Sequence, residues 1–412
     1  MTRPATATTS RNASSKISVN PGWAKLPLFD RSKWQRVKFG DVVANVNDTE
    51  RDPQGAGIER FIGLEHLEPG SLHIRTWGNV ADGTTFNRRC RPGQVLFGKR
   101  RAYQRKVAVA KFDAVVSGDI YVFAPKDDRL LPELLPFLCM SERFFKFAVE
   151  TSAGSLSPRT NWNSLMEFEF SFPPPAQQHQ IAEILLTEDE VEQAHVSSNT
   201  AVRTFLSAKV ESILDEFFSG PCKPLSDLWP KNPDSGCSAP PSSIETGHFV
   251  LSLTAVSSNG YLRGNLKPVE PTPAMLGARL SKGDFLISRS NTPELVGFVG
   301  IFDEARDDVS FPDTMMRMHF DETKILKQFM EVVLLSMRGR KHMMRSAAGT
   351  SGSMKKINRQ TLGQCIIPTP PPADQRKFLT HIKKLRDAIR VSDLAIAATK
   401  TLKNETINTV FA

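Results

Sequence analysis

The sequence predicts an α+β protein with two similar mixed domains separated by two long antiparallel coiled-coil helices, related as a pseudo-two-fold internal repeat. Two observations support this prediction. The chain matches itself at three places in the same order, and each half ends in a long segment without glycine or proline. A chain of 412 residues has room for about two to four domains.

The internal repeat is clearest where the two halves end. Residues 161–178 and 358–375 share an Asn, a Leu, a Pro-Pro-Pro-Ala run and a Gln at matching positions. Two further matches lie upstream: 92–99 with 282–289, and 109–113 with 299–303. Ordered matches of this kind indicate duplication, with small offsets that changes in loop length would produce.

Each half begins with short apolar runs bounded by turn residues. GQVLFGK and DIYVFAP in the first half, and GDFLISR and VGFVGIF in the second, are typical of strands. Segments 131–149 and 325–345 have helical patterns. We therefore expect both strands and helices in each globular part.

The glycine- and proline-free segments predict long helices. In residues 373–411, apolar side chains recur at three- and four-residue steps from Phe378 to Ile389, which places one apolar stripe on a helix. Proline is acceptable in the first helical turn, where its missing N–H would be unpaired. A helix of about 40 residues is about 60 Å long and needs a partner for its stripe. Antiparallel pairing of the two helices is the first interpretation, and separate packing on their own domains is the second.

These patterns predict the domain boundaries. They are a flexible basic tail at 1–19, a first domain at 20–172, a central long helix at 173–219, a second domain at 220–368 and a C-terminal long helix at 369–412.

Composition excludes several classes of protein. Five cysteines without a C-x-x-C pair argue against disulfide scaffolds and thiolate zinc sites, and favour a reducing cytoplasm. No apolar run is long enough to span a membrane, and the first twenty residues lack the apolar core of a secretory signal. The net charge of +9 is compatible with a nucleic-acid partner that binds a local basic patch.

The basic charge is concentrated in two windows without acidic residues, 88–111 and 332–373. A run of charged residues is often only a solvated surface. These windows, however, occur in both halves and next to Gly/Ser-rich loops, which favours double-stranded DNA as the binding partner. The predicted DNA-binding residues are Lys99, Arg100, Arg101, Tyr103, Gln104, Arg105, Arg159, Asn161, Arg289, Asn291, Thr292, Lys355, Lys356 and Asn358. Because side-chain amides can form two hydrogen bonds with adenine, we expect Gln104 and Asn291 to contact base edges. We expect Arg100 and Arg101 to contact phosphates.

Two patterns resemble catalytic sites only in part. Residues 93–99 have the spacing of a phosphate-binding loop, but Arg100 follows where Ser or Thr would hold magnesium, and the interior looks like a strand. Asp313, Glu322 and Lys324 have the outline of a metal-dependent nuclease. The nuclease and a scaffold protein that binds only protein partners remain alternatives. The chain has no N-P-P-Y/F tetrapeptide of an amino-methyltransferase.

With WQRVKFGDVV at 34–43, two Gly/Ser-rich loops and two Pro-Pro-Pro-Ala-x-Gln helix entries, the chain resembles the specificity subunit of a type I DNA restriction-modification system. PLSDL at 224–228 is a weaker opening of the second half, and the entry PPPAQQHQIA lacks the more usual acidic residue before Gln. The resemblance implies that each domain is a target-recognition domain for one half of a split DNA site. It also implies that the helices dock modification (methyltransferase) subunits, expected to be two, with restriction/translocase subunits joining through the complex. S-adenosylmethionine, ATP and Mg are then expected on partner subunits, with no cofactor and no catalysis on this chain.

Overall fold

The computed structural model describes residues 30–349 and 354–411. The predicted basic tail at 1–19 lies outside these residues. The described chain forms two compact units. Unit 1 contains the described residues up to Ser198 and those from Ser392 onward, and unit 2 is Asn199–Val391. Each long helix thus contributes to both units. The domain boundaries given above stay a prediction.

Unit 1 is a mixed α+β fold. Its strands are β1 (Gln35–Lys38), β2 (Val43–Val46), β3 (Arg60–Ile62), β4 (Gly78–Asn79), β5 (Arg88–Cys90), β6 (Val95–Gly98), β7 (Val107–Val109), β8 (Ala114–Val116), β9 (Ile120–Pro125) and β10 (Glu169–Phe172). Its helices are α1 (Phe39–Val42), α2 (Leu135–Met140), α3 (Glu142–Glu150), α4 (Trp162–Leu165) and the first part of α5 (Pro175–Phe218).

Two four-stranded sheets organise unit 1. One has the order β2-β9-β6-β7 and is antiparallel throughout, and the other has the order β4-β3-β8-β5 with β3 parallel to β8. Strand β1 pairs with β10, so the beginning of the unit lies beside the strand that leads into α5. Buried aromatic side chains, among them Phe39, Phe97, Phe123 and Phe144, fill the core beneath α2 and α3. Such rings bury large apolar areas and dominate core stability.

Unit 2 has the same class of fold. Its strands are β11 (Cys222–Pro224), β12 (Asp234–Ser235), β13 (Phe249–Leu251), β14 (Val256–Ser257), β15 (Gly260–Tyr261), β16 (Leu266–Pro268), β17 (Phe285–Ser288), β18 (Ser290–Asn291), β19 (Val299–Ile301), β20 (Val309–Ser310), β21 (Met315–Met318), β22 (Lys355–Lys356) and β23 (Ile366–Pro368). Its helices are α6 (Pro273–Gly277), α7 (Lys327–Leu335), α8 (Met337–Ser346), α9 (Arg359–Gly363) and the first part of α10 (Pro372–Val410).

The sheet topology confirms the internal repeat. The antiparallel sheet β12-β21-β17-β19 matches β2-β9-β6-β7, and β16-β13-β20 matches β4-β3-β8, including one parallel pair. The pair β11–β23 matches β1–β10. Two mixed units with one strand order confirm the fold class predicted from the sequence.

The long helices pair antiparallel in both units. In unit 2, the ring of Phe217 near the end of α5 lies 5.7 Å from that of Phe378 near the beginning of α10. In unit 1, Asp189 from early α5 bonds at 2.8 Å to Lys403 from late α10. Contacts in this order require antiparallel helices, as the apolar stripes predicted. None of the helices in the described ranges combines the length and apolar character needed to span a bilayer.

A buried glutamine explains the repeated Pro-Pro-Pro-Ala-x-Gln entry. The side chain of Gln178 accepts a hydrogen bond from Leu131 N and donates to the carbonyls of Arg129 and Pro173. Gln375 repeats this pattern with Leu326, Lys324 and Pro370. Each glutamine thus ties the first turn of a long helix to the segment before α2 or α7. Its full set of partners compensates the cost of burying a polar amide.

Candidate nucleic-acid interface

The two basic segments of unit 1 are far apart in sequence but adjacent in the structure. Arg101 N donates to Pro158 O at 2.7 Å, and Thr160 N donates to Lys99 O at 3.0 Å. Arg100 and Arg159 face each other in a β-bridge. The residues that follow β6 and the Gly/Ser-rich loop therefore form one surface, which we call basic surface 1 (residues 99–105 and 154–161).

Unit 2 repeats this pairing. Strand β18 pairs with β22, so that Asn291 lies opposite Lys355, and Ile357 N donates to Arg289 O at 2.9 Å. We call this basic surface 2 (residues 289–292 and 354–358). It contains all of the DNA-binding residues predicted in the second half. Loops that the sequence analysis treated as separate candidates thus form one surface in each unit.

A shared carboxylate organises basic surface 1. Asp119 accepts hydrogen bonds from Arg159 Nε at 2.9 Å and from an Arg100 terminal nitrogen at 3.3 Å. Burial raises the pKa of Asp119, but the two guanidinium groups outweigh it and hold the pKa below its usual value. One acid cannot neutralise two arginines, so the surface keeps a positive charge.

Lys99 adds to this charge. Its ammonium group lies 4.8 Å from the ring centre of Tyr121, an attractive cation–π position. Burial and the neighbouring Arg88 lower the pKa of Lys99 from its usual value. A positive charge that is desolvated and repelled by its neighbours is stabilised by an incoming anion such as phosphate.

The turn at the tip of basic surface 1 has an uncommon backbone. Arg101 and Arg105 have φ values of 53° and 54°, and they are the non-glycine residues with positive φ in the described ranges. This conformation costs free energy for residues with a Cβ and tends to occur at functional sites. Between them, the Tyr103 side chain is 55% exposed, and Leu156 from the adjacent loop is 91% exposed. The turn therefore presents apolar groups beside the basic ones.

Other predicted residues have structural partners. Arg105 forms an ion pair with Glu142 and lies over the ring of Phe145. Asn161 caps α4 by accepting from Ser164 N, and Asn358 caps α9 by accepting from Thr361 N, both at 2.8 Å. The oxygens of both amides are occupied, which leaves their NH₂ groups to contact a ligand.

On basic surface 2, local hydrogen bonds position Asn291 and Lys355. The Arg289 guanidinium makes no hydrogen bond to any residue in the described ranges. Asn291 Oδ1 accepts from Thr292 N at 2.9 Å, and Lys355 Nζ donates to Gly349 O at 2.8 Å. Lys356 is exposed. In unit 1, the amide of Gln104 is half-buried and likewise has no hydrogen-bond partner in the described part of the chain.

The catalytic patterns do not form sites. Residues Val95–Gly98 are the buried strand β6, paired on both sides, so they are no phosphate-binding loop. Asp313 and Glu322 lie beyond opposite ends of β21, and Glu322 pairs with Lys327 at 3.1 Å. Lys324 pairs with Asp321 at 3.0 Å. Within the described ranges, no three His, Cys, Asp or Glu side chains could hold a metal together. The nuclease alternative is not supported.

Two residues that contact the arginines of basic surface 1 were not predicted from the sequence. They are Asp119, which accepts from Arg100 and Arg159, and Ser157, whose hydroxyl accepts from Arg100 and Arg101. The carbonyl of Asp119 accepts from Lys99 N and that of Thr314 accepts from Arg289 N, so Thr314 is the true equivalent of Asp119. The signal in the sequence is the apolar run that directly follows each residue, β9 after Asp119 and β21 after Thr314.

Comparison with known proteins agrees with this architecture. Residues 80–195 match the family model of the type I restriction modification DNA specificity domain, and this range contains the basic residues of surface 1. The specificity subunit of the EcoDI type I restriction enzyme from Escherichia coli is 26% identical over 219 residues, covering 49% of this chain and 45% of that protein. The chain thus matches less than half of this relative's length.

Two solved structures share the fold across nearly the whole chain. A chain from a study of assembly and conformational transition in the type I restriction-modification system has a TM-score of 0.56 at 15% identity, covering 92% of this chain and 97% of that chain. The type I restriction-modification S subunit from M. genitalium has a TM-score of 0.50 at 13% identity, covering 92% and 96%. The matched domain at residues 80–195 and the shared fold thus make the chain similar to type I restriction-modification specificity subunits.

Proposed function

We propose that this chain is the sequence-specific DNA-binding subunit of a type I restriction-modification complex, and that each unit reads one half of a bipartite double-stranded DNA site. The observation that carries the proposal is the pairing of two basic segments into one surface at the same place in both units. Duplicated surfaces of this kind suit a site with two half-sites, because each unit can diverge to read a different sequence.

The residues divide into two roles. Arg100, Arg101, Arg159 and Lys356 neutralise phosphates, which positions the protein without reading base edges directly. Gln104 and Asn291 carry amides that can form paired hydrogen bonds with base edges, which is how sequence is read in the major groove. Tyr103 adds an exposed aromatic face that can pack against the sugar or base.

The catalytic steps of modification and restriction are assigned to partner subunits. The long helices dock modification subunits, two in number, and restriction/translocase subunits join through that complex. Exposed apolar side chains on these helices support docking: Phe205 on α5 is 59% exposed, and Leu394 on α10 is 65% exposed. S-adenosylmethionine, ATP and Mg belong to the partner subunits, and this chain acts in the cytoplasm without catalysis of its own.

The test is to select bound DNA from a random duplex library. The full chain, assembled with its modification subunits, should enrich sequences with two short specific parts separated by an unspecified gap. Affinity should fall steeply with salt. The double variant Arg159→Ala/Lys356→Ala should bind all duplexes more weakly, with a salt slope smaller by about two.

Lys146→Ala is the control for the loss of one positive charge elsewhere, because Lys146 lies on α3 outside the basic surfaces and is paired with Glu150. It should leave the enriched sequence and the affinity unchanged. Enrichment of no sequence by the assembled protein, or affinity independent of salt, would refute the proposed function.

A further inference from the structure

Asp119 is the acidic residue at the centre of basic surface 1. It directly precedes β9, and its carbonyl accepts from Lys99 N at 2.9 Å, so its backbone is fixed against the first basic segment. Its side chain is 20% exposed and bonds to Arg100 from that segment and Arg159 from the other. A single carboxylate thus joins the two segments that form the surface.

A second contact makes this arrangement more rigid. The hydroxyl of Ser157 accepts from Arg100 at 3.2 Å and from Arg101 at 3.3 Å. The Arg100 guanidinium is therefore held by Asp119 on one side and by Ser157 on the other. A long side chain fixed before binding loses less conformational entropy when it contacts a ligand, and it tolerates less variation in that ligand's shape.

Unit 2 lacks this arrangement at the equivalent position. Thr314 occupies the place of Asp119, and its carbonyl accepts from Arg289 N in the same way. Threonine has no charge to pair with, and Ser290 stands in the place of Arg100, since Ser290 lies opposite Lys356 as Arg100 lies opposite Arg159. The carbonyls of Asp119 and Thr314 therefore accept the same backbone hydrogen bond, but only unit 1 has a carboxylate at this position.

A carboxylate in a surface that binds phosphates lowers the affinity of that surface for DNA. It repels every DNA backbone and offsets part of the charge of two arginines. Its presence is explained if fixed arginine geometry matters more than total charge. Repulsion that is common to all sequences weakens every complex alike, so the difference between correct and incorrect sites comes from the fixed arginines, which bind fully only where the DNA fits them.

We propose that Asp119 is a positioning residue that sets the sequence specificity of unit 1, by holding Arg100 and Arg159 in one geometry that reaches the phosphates fully only on DNA of matching shape. The inference rests on the proposed DNA-binding function and deepens it for one half-site. Unit 2 has Thr314, Ser290 and Lys356 at the equivalent positions, so it lacks a carboxylate there that could hold two arginines.

The test compares Asp119→Asn with the unchanged protein, each as the full chain assembled with its modification subunits. Asparagine keeps the shape and removes the charge. Affinity for random duplex DNA should rise about threefold, because one repulsive charge is lost. The ratio of cognate to random affinity should fall about tenfold when bases in the half-site of unit 1 are varied. The ratio for the other half-site should not change.

Two further variants control for folding. Asp119→Glu keeps the carboxylate and should recover part of the discrimination, while Thr314→Ala alters the equivalent position and should leave the half-site of unit 1 unchanged. Thermal unfolding should show that Asp119→Asn remains folded. Equal loss at both half-sites, or lower affinity for random DNA with discrimination intact, would overturn the role of Asp119 alone. Failure of the unchanged protein to bind any duplex would overturn the proposed function and this inference together.

Discussion

At the scale of single residues, the structure neutralises some basic side chains and leaves others charged. Arg89 pairs with Asp113 at 2.7 Å, Arg91 pairs with Asp48 at 2.5 Å, and Arg105 pairs with Glu142. These acids lie outside the acid-free window, so the sequence suggests a larger basic patch than the fold presents. Lys99 keeps a charge that its surroundings disfavour, and bound phosphate should therefore raise its pKa.

Substitution can separate phosphate contacts from base contacts. Arg101→Ala should weaken binding to all duplexes alike and reduce the salt slope by about one. Gln104→Ala or Asn291→Ala should cost about 1–3 kcal/mol on the selected site and relax one base position. The measurement is affinity at several salt concentrations for the selected site and its single-base variants. If these variants and Arg100→Ala all left affinity and salt dependence unchanged, these turns would not contact DNA.

Asn161 tests whether a helix cap also contacts DNA. Asn161→Ala removes the acceptor for Ser164 N and should reduce the free energy of unfolding by about 1 kcal/mol. Asn161→Asp keeps the acceptor, so stability should be retained, but it replaces the NH₂ donor with a negative charge and should weaken DNA binding at least tenfold. Thermal unfolding and duplex affinity are measured for both variants. If Asn161→Asp bound duplex DNA with normal affinity, Asn161 would serve only as the cap of α4.

At the scale of elements, a buried ionic cluster fixes the helix pair in unit 1. Lys403 on α10 is fully buried, with its ammonium group 2.8 Å from Asp189 and 2.5 Å from Glu192 on α5. His73 bonds to the second oxygen of Asp189 at 2.6 Å. A buried polar group among apolar contacts specifies one helix register, because any shift leaves charges without partners.

Removal of Lys403 should therefore be costly. Lys403→Met leaves two buried carboxylates without their cation and should reduce the free energy of unfolding by about 3–5 kcal/mol. Lys384→Met, on an exposed position of the same helix, should change it by less than about 0.5 kcal/mol. Chemical denaturation measures both. Equal effects of the two substitutions would show that the cluster contributes no specific stability.

The cluster also gives a pH dependence. Burial raises the pKa of Asp189, but bonds from His73 and Lys403 outweigh it, so the folded pKa lies below the usual 3.8. This stabilisation is present above pH 3.8 and is lost as the pH falls through the folded pKa. Burial lowers the pKa of Lys403, but bonds to Asp189 and Glu192 raise it overall above 10.5. Its contribution is lost as the pH rises through that folded value.

In the unchanged protein, the free energy of unfolding should fall at low pH as Asp189 is protonated and at high pH as Lys403 is deprotonated. Asp189→Asn should reduce the loss on the acid side, because the residue no longer titrates. A pH profile identical to that of the unchanged protein would mean that Asp189 does not titrate differently in the folded and unfolded chains.

At the scale of the whole molecule, the long helices are shared by both units, so their length should determine which half-site spacing is accepted. Inserting four residues after Ser198 in α5 and four after Val391 in α10 should lengthen each helix by about 6 Å. The gap between the half-sites should then change by about two base pairs, while the half-sites themselves stay the same. DNA selection with the assembled variant measures this. Normal assembly with an unchanged gap would refute the idea that the helices set the spacing.

The sequence by itself determined the architecture of this protein. The repeated Pro-Pro-Pro-Ala-x-Gln entries, the apolar stripes and the absence of helix breakers are local signals, and they predicted two α+β halves and two paired helices. Secondary structure and amphipathic pairing depend mainly on short-range pattern, which is why these predictions hold. The basic loops were also visible, since charge can be counted along the chain.

Only the tertiary structure decided which of these charges act together. The pairing of Arg100 with Arg159, the acids that neutralise Arg89 and Arg91, and the burial of Lys403 all join residues far apart in sequence. Asp119 had no distinguishing local pattern, and its role follows from the strand register that places it between two arginines. Electrostatic interactions depend on distance and burial in three dimensions, and neither can be read from residue order.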